Sequence, residues 1–168
     1  MSFLDAPCTK NETRKKNANK SAVGCPKRCG QLEMTKAEIY KTIDRELEKW
    51  VYLLNAEEGN YGIYELTWEL GRYDFLDIAD KYLITLDLLT ELLLQEMVIL
   101  EEYQSPDFKI KIRTVDLLDY SKILNNPANW YPSSNPIYAI EITTNGLNLL
   151  DELDEQNKKK LDERLGIK

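Results

Sequence analysis

The chain has 168 residues, 43% of them hydrophobic and 30% charged, with a net charge of −7 and no histidine. That length suits one domain of ordinary size with appendages, and the missing histidine removes the commonest general base and metal ligand. No apolar run approaches the roughly 20 residues that span a bilayer, and no apolar stretch follows the N-terminal lysines as it does in a secretory signal. A soluble, cytoplasmic, non-enzymatic protein without cofactor or membrane span is the expectation.

Charge divides the chain unevenly. Residues 1–33 hold seven Lys/Arg against Asp5, Glu12 and Glu33, a balance of +4, so the remainder carries −11. Such an acidic body repels phosphate backbones over a Debye length of roughly 8–10 Å, and a basic protein surface complements it better. The first 33 residues are polar, rich in Lys, Asn, Gly, Pro and Cys, and without periodicity. They read as a disordered basic tail, and Met34 offers an alternative start that would make them an upstream extension. No aromatic residue lies among the charged residues of this tail for base stacking, so it reads as a solvated tail. Cys8, Cys25 and Cys29 supply three thiols where zinc takes four ligands, and no histidine completes the set. Their odd number also argues against a closed disulfide framework. Free thiols and no metal site are expected.

The structured region is expected at 34–157, followed by a charged tail at 158–168. Thr35 and Glu38 form a capping box, and Ile39, Ile43, Leu47, Trp50, Val51 and Leu54 mark one face of a long helix from Lys36 to Asn55. Gly59 lies in the turn that ends it. A second helix is predicted from Tyr61 to Gly71, with Ile63, Leu66, Trp68 and Leu70 inward. Asp74 is expected to cap a short third helix containing Leu76, Ile78, Ala79 and Tyr82. After a break at Leu83–Thr85, Thr85 would cap a fourth helix, which Leu86, Leu88, Leu89, Leu92, Leu93 and Met97 almost surround.

Val98–Glu102 reads as a strand, Ser105–Asp107 as a turn, and Phe108–Val115 (FKIKIRTV) as an alternating strand. Period two puts Lys109, Lys111 and Arg113 on one face of this hairpin, where they would offset Glu101 and Glu102. A helical turn at 117–124, a proline-rich loop at 125–136, a strand at Ile137–Thr143 and a helix from Thr144 to Asn157 follow. The closing KKKLDERLGIK could prolong that helix as a charged tail.

Leu92–Ile99 (LLLQEMVI) and Ile142–Leu150 (ITTNGLNLL), with Thr143 and Gly146, resemble pieces of bacterial winged-helix regulators of the MarR or PadR type. The resemblance covers about half the chain. It implies an α+β, mostly helical winged helix-turn-helix with a long N-terminal helix, a β-hairpin wing and a C-terminal helix. It also implies a homodimer held by the flanking helices. Three departures stand out. Met97 occupies the place of the family's glycine, Thr85–Leu88 lack the basic start of a recognition helix, and about twenty extra residues follow the wing.

Two functional readings follow. The first is a non-enzymatic protein-interaction module: an adaptor, a regulator, or a neutraliser of a basic partner such as a toxin. Asp87 and Glu91 on the acidic helix, and Trp130 and Tyr131 in the loop, are its candidate contacts, because aromatic residues dominate binding hot spots. The alternative, which the area of its large ring favours, is that Trp130 pins the loop to the core. The second reading is a DNA-binding regulator that uses the fourth helix and Lys109, Lys111 and Arg113. Glu57, Glu58, Asp74, Asp77, Asp80 and Asp87 read mostly as caps or solvated faces rather than catalytic groups.

Overall fold

The computed structural model describes Glu38 and residues 41–167. The basic segment 1–33, its three cysteines, Met34 and the Thr35 cap lie outside the described residues. In chain order come α1 (Arg45–Glu57), β1 (Tyr61–Gly62), α2 (Ile63–Glu69), a 3-10 turn (Leu70–Arg72) and α3 (Ile78–Leu94). They are followed by β2 (Val98–Tyr103), β3 (Lys111–Thr114), α4 (Leu117–Leu124), a second 3-10 turn (Pro127–Trp130), β4 (Ile137–Ile142) and α5 (Thr144–Leu165). The strands form one antiparallel sheet in the order β1-β4-β2-β3. The fold is therefore α+β and mostly helical. No helix among the described residues is long and apolar enough to cross a membrane.

The expected first helix is interrupted. Ile43 and Asp44 leave helical geometry, and the Asp44 carboxylate accepts the Leu47 amide at 3.1 Å, starting α1 afresh. An aspartate offers its own backbone a rival hydrogen bond, which suits a cap better than a helix interior. The apolar face is as predicted, with Ile43, Leu47, Trp50 and Val51 all buried.

The predicted second helix divides differently. Tyr61 and Gly62 pair with Ile140 and Ala139 as strand β1, and the helix begins only at Ile63. Trp68 points outward at 63% exposure, with its ring edge-on to Tyr64 at 5.4 Å.

The largest correction concerns the break expected at Leu83–Thr85, because α3 runs through it without interruption. Its cap is Asp77, whose carboxylate accepts the Asp80 amide at 2.8 Å, and not Asp74 or Thr85. Thr85 is fully buried in mid-helix with its hydroxyl 3.1 Å from that of Tyr52. Threonine is a poor interior residue only while its hydroxyl competes for local backbone groups. A buried partner from another helix removes that reason to stop.

One face of the sheet, with Val98, Leu100, Tyr138 and Ile140, joins the helices in the main core. Each such aliphatic side chain contributes about 1.5–3 kcal/mol when fully removed from water. Tyr103, Ile137 and Ala139 lie on the other face with Tyr64 and Phe108. Helix α3 ends at Leu94, and the residue that takes the left-handed conformation after it is Glu96, with φ 56°, one position before Met97. The Met97 amide then donates back to the Leu92 carbonyl at 2.9 Å and closes the helix.

Helix α5 does not fray at Asn157. It continues to Leu165, where Lys160 pairs with Asp44 at 2.8 Å and Arg164 with the fully buried Glu48. The charged sequence at 158–165 is thus mostly a helix bound to α1. Its start is fixed by Thr143, whose hydroxyl accepts the Gly146 amide at 3.1 Å and lies 2.6 Å from the Glu96 carbonyl, to which it donates. A Cβ on Gly146 would run into the Met97 carbonyl, so the close approach of α5 to β2 needs glycine there.

Candidate functional site

Asp87 and Glu91, expected to face a partner, are bound within the chain. Arg45 of α1 forks across both, with nitrogens 2.7 Å from Asp87 and 3.0 Å from Glu91, and Lys49 lies 3.0 Å from Glu91. The Lys49 hydrogen bond, opposed by burial and helped by Arg45, holds the Glu91 carboxyl below the ordinary carboxylate range. These contacts join α1 to α3. Nothing local in the sequence around Glu91 announces them, because their cations lie more than forty residues away.

The basic hairpin is dismantled as a row. Strand β3 begins only at Lys111, since Phe108 takes a left-handed backbone (φ 50°) and leaves Lys109 in the turn, 3.0 Å from Asp107. A bulge shifts the β2–β3 register so that Lys111 stands opposite Tyr103 and Arg113 opposite Glu102. Tyr103 and Glu102 lie on opposite faces of β2, so the two cations diverge despite their spacing of two. Lys111 pairs with the buried Glu101. Arg113 binds Glu102 and Asp119, each at 2.8 Å, and those two hydrogen bonds raise its pKa further. Burial alone would raise the Glu101 pKa, but the hydrogen bonds from Lys111, Tyr103 and Glu141 bring it below the usual value. Glu141 is pushed up by the same contact with Glu101 and by burial.

Trp130 is buried, its indole nitrogen donates to the Leu124 carbonyl at 2.8 Å, and its ring meets Tyr82 edge-on at 5.1 Å. It anchors the proline-rich loop. Tyr131 beside it stays 61% exposed and lines a cleft of about 360 Å³ with Trp68, Ile78 and Pro132.

The feature that sequence reading missed lies between α3 and α4. Two depressions of about 340 and 480 Å³ adjoin there, sharing Leu93, Leu94, Leu117 and Tyr120. Leu94 and Leu117 remain 63% and 60% exposed, and neighbouring Leu118 is 93% exposed. Among the described residues, no lysine or arginine lines either depression. Asp87 lines one depression, and Glu96 and Asp116 line the other with no ion pair to a described residue. Burial, then the charges of Asp116 and Glu96, push the Tyr120 phenol upward. One sequence signal was present: Leu117 and Leu118 open a short helix side by side, and adjacent helical positions point about 100° apart.

No functional group among the described residues is arranged as a group of three or more potential metal ligands. Comparisons with protein-family models, curated proteins and solved structures find no match to this chain.

Proposed function

We propose that this chain is a non-enzymatic protein-interaction module, built on a winged-helix-like scaffold and directed at a basic partner. The observation that carries the reading is the contrast in charge commitment. The hairpin cations Lys109, Lys111 and Arg113 all engage internal carboxylates, whereas Glu96 and Asp116 form no ion pair with a described residue and stand beside exposed leucines. A phosphate backbone would have to compete for those cations against carboxylates already in place. A basic protein would meet free negative charge next to apolar area.

Element order supports the scaffold reading. Helices α2 and α3, separated by residues 70–77, take the place of the helix pair expected at 74–97. Strand β2, a hairpin and the Thr143–Gly146 start of α5 follow in the order the resemblance implies. Helix α4, in the stretch that follows the hairpin, supplies one wall of the leucine groove.

The test pairs two measurements. Anisotropy with a labelled mixed-sequence duplex at low salt should show no binding that salt weakens. Affinity capture, followed by reconstitution with the identified protein, should give a complex whose strength falls as salt rises. Salt-sensitive duplex binding lost in a Lys109→Ala/Lys111→Ala/Arg113→Ala variant would replace this reading with DNA recognition.

A further inference from the structure

We propose that the α3–α4 groove receives a basic amphipathic α-helix of a partner protein, an inference that rests on the interaction-module reading above. Between Leu86 and Leu124 both walls are helical, so their main-chain groups are already paired. An extended segment lying there would leave its own amides unpaired against leucine, at about 1–3 kcal/mol for each buried group. A helix satisfies its backbone internally and presents an apolar stripe. On α3 the groove runs from Leu86 to Leu94, roughly 12 Å at 1.5 Å per residue, and continues past Glu96 to the start of α5. That length matches two to three turns of a bound helix, with apolar residues at i, i+3 or i+4, and i+7.

Charge selects the occupant. Asp87 in the first depression is already held by Arg45, but Glu96 and Asp116 line the second with no ion pair to a described residue, so a helix with Lys or Arg flanking its apolar stripe is complementary there. The acidic body of a second copy is not, because residues 34–168 carry −11.

The probe is a labelled synthetic peptide of about 15 residues with leucines at helical spacing and lysines elsewhere. Its controls are a glutamate-for-lysine counterpart and a version with a central proline. Binding to the full chain is expected to weaken at least about tenfold for each control. A Leu94→Lys/Leu117→Lys variant should lose about tenfold or more while keeping its circular dichroism, since both side chains are exposed. Glu96→Gln/Asp116→Asn should lose several-fold and flatten the salt dependence. Lysine-peptide binding that ignores the leucine substitutions overturns the groove while leaving the basic-partner reading standing. Equal binding of the glutamate peptide overturns the basic-partner reading itself. Equal binding of the proline peptide removes the helix. Self-association at micromolar concentration that the leucine substitutions abolish, without peptide binding, makes a second copy the occupant and also overturns the proposal.

Discussion

The hairpin and the α3–α4 groove are neighbours built from similar material, yet they end in opposite states. In the hairpin every cation from Lys109 to Arg113 meets a carboxylate, including one that is almost fully buried. In the groove, leucines and carboxylates remain open to solvent. Charge count alone does not distinguish a binding surface from an internally balanced one. What distinguishes them is whether the fold has already supplied the partner.

The largest effect is expected at the joint below the groove. Gly146→Ala places a Cβ against the Met97 carbonyl and should cost about 3 kcal/mol, because backbone must move on both elements. Denaturant titration checks it, and a midpoint close to wild type would mean that α5 and β2 part easily. Next, Lys111→Ala leaves Glu101 buried without its cation. Removing one partner of a buried pair costs about 3–5 kcal/mol, and the half-exposure of Lys111 reduces this to about 2. Leu118→Ser in the open region should stay within about 0.5 kcal/mol, since that side chain is nearly free. If those two substitutions destabilised equally, the contrast between closed hairpin and open groove would collapse.

Glu96→Gly should stabilise the fold by about 1 kcal/mol, because a left-handed backbone strains a residue with a Cβ and suits glycine. Thermal melting would show the rise, and a lower midpoint would indicate that the Glu96 side chain is needed for folding.

The smallest effect has a pH signature. Glu141 has a raised pKa, so its share of stability is complete below the unfolded carboxyl pKa and is lost as pH rises through the folded one. Glu141→Gln should therefore gain on the wild type as pH increases from acid to neutral. Solvent screening at this exposed site limits the gain to a few tenths of a kcal/mol. Glu91 behaves oppositely: its pKa is lowered, so its contribution holds above the unfolded value and disappears as pH falls through the folded one. A pH profile of Glu141→Gln parallel to that of the wild type would show that the Glu101–Glu141 contact is weak in solution.

Much of the architecture could be read locally. The apolar face of α1, strands β2 and β4, the short helix at 117–124 and the start of α5 at Thr144 all come from periodicity or turn chemistry within a few residues. The errors share a cause. Thr85 looked like a cap until Tyr52, 33 residues away, gave its hydroxyl a buried partner. Trp68 looked buried because tryptophan usually is, but a seven-residue helix cannot turn every large side chain inward. Lys111 and Arg113 looked aligned because a bulge changes facing without marking the sequence. The candidate site was harder still, because Asp87 and Glu91 are defined by Arg45 and Lys49 on another helix.

The sequence by itself determined the acidic body, the lack of histidine chemistry, and most helix and strand positions. These depend on composition and on interactions within one or two turns of chain. The tertiary structure decided which charges are spent internally and which leucines stay uncovered. Both are settled by contacts between residues far apart in sequence, and no local pattern encodes the partner that a side chain meets.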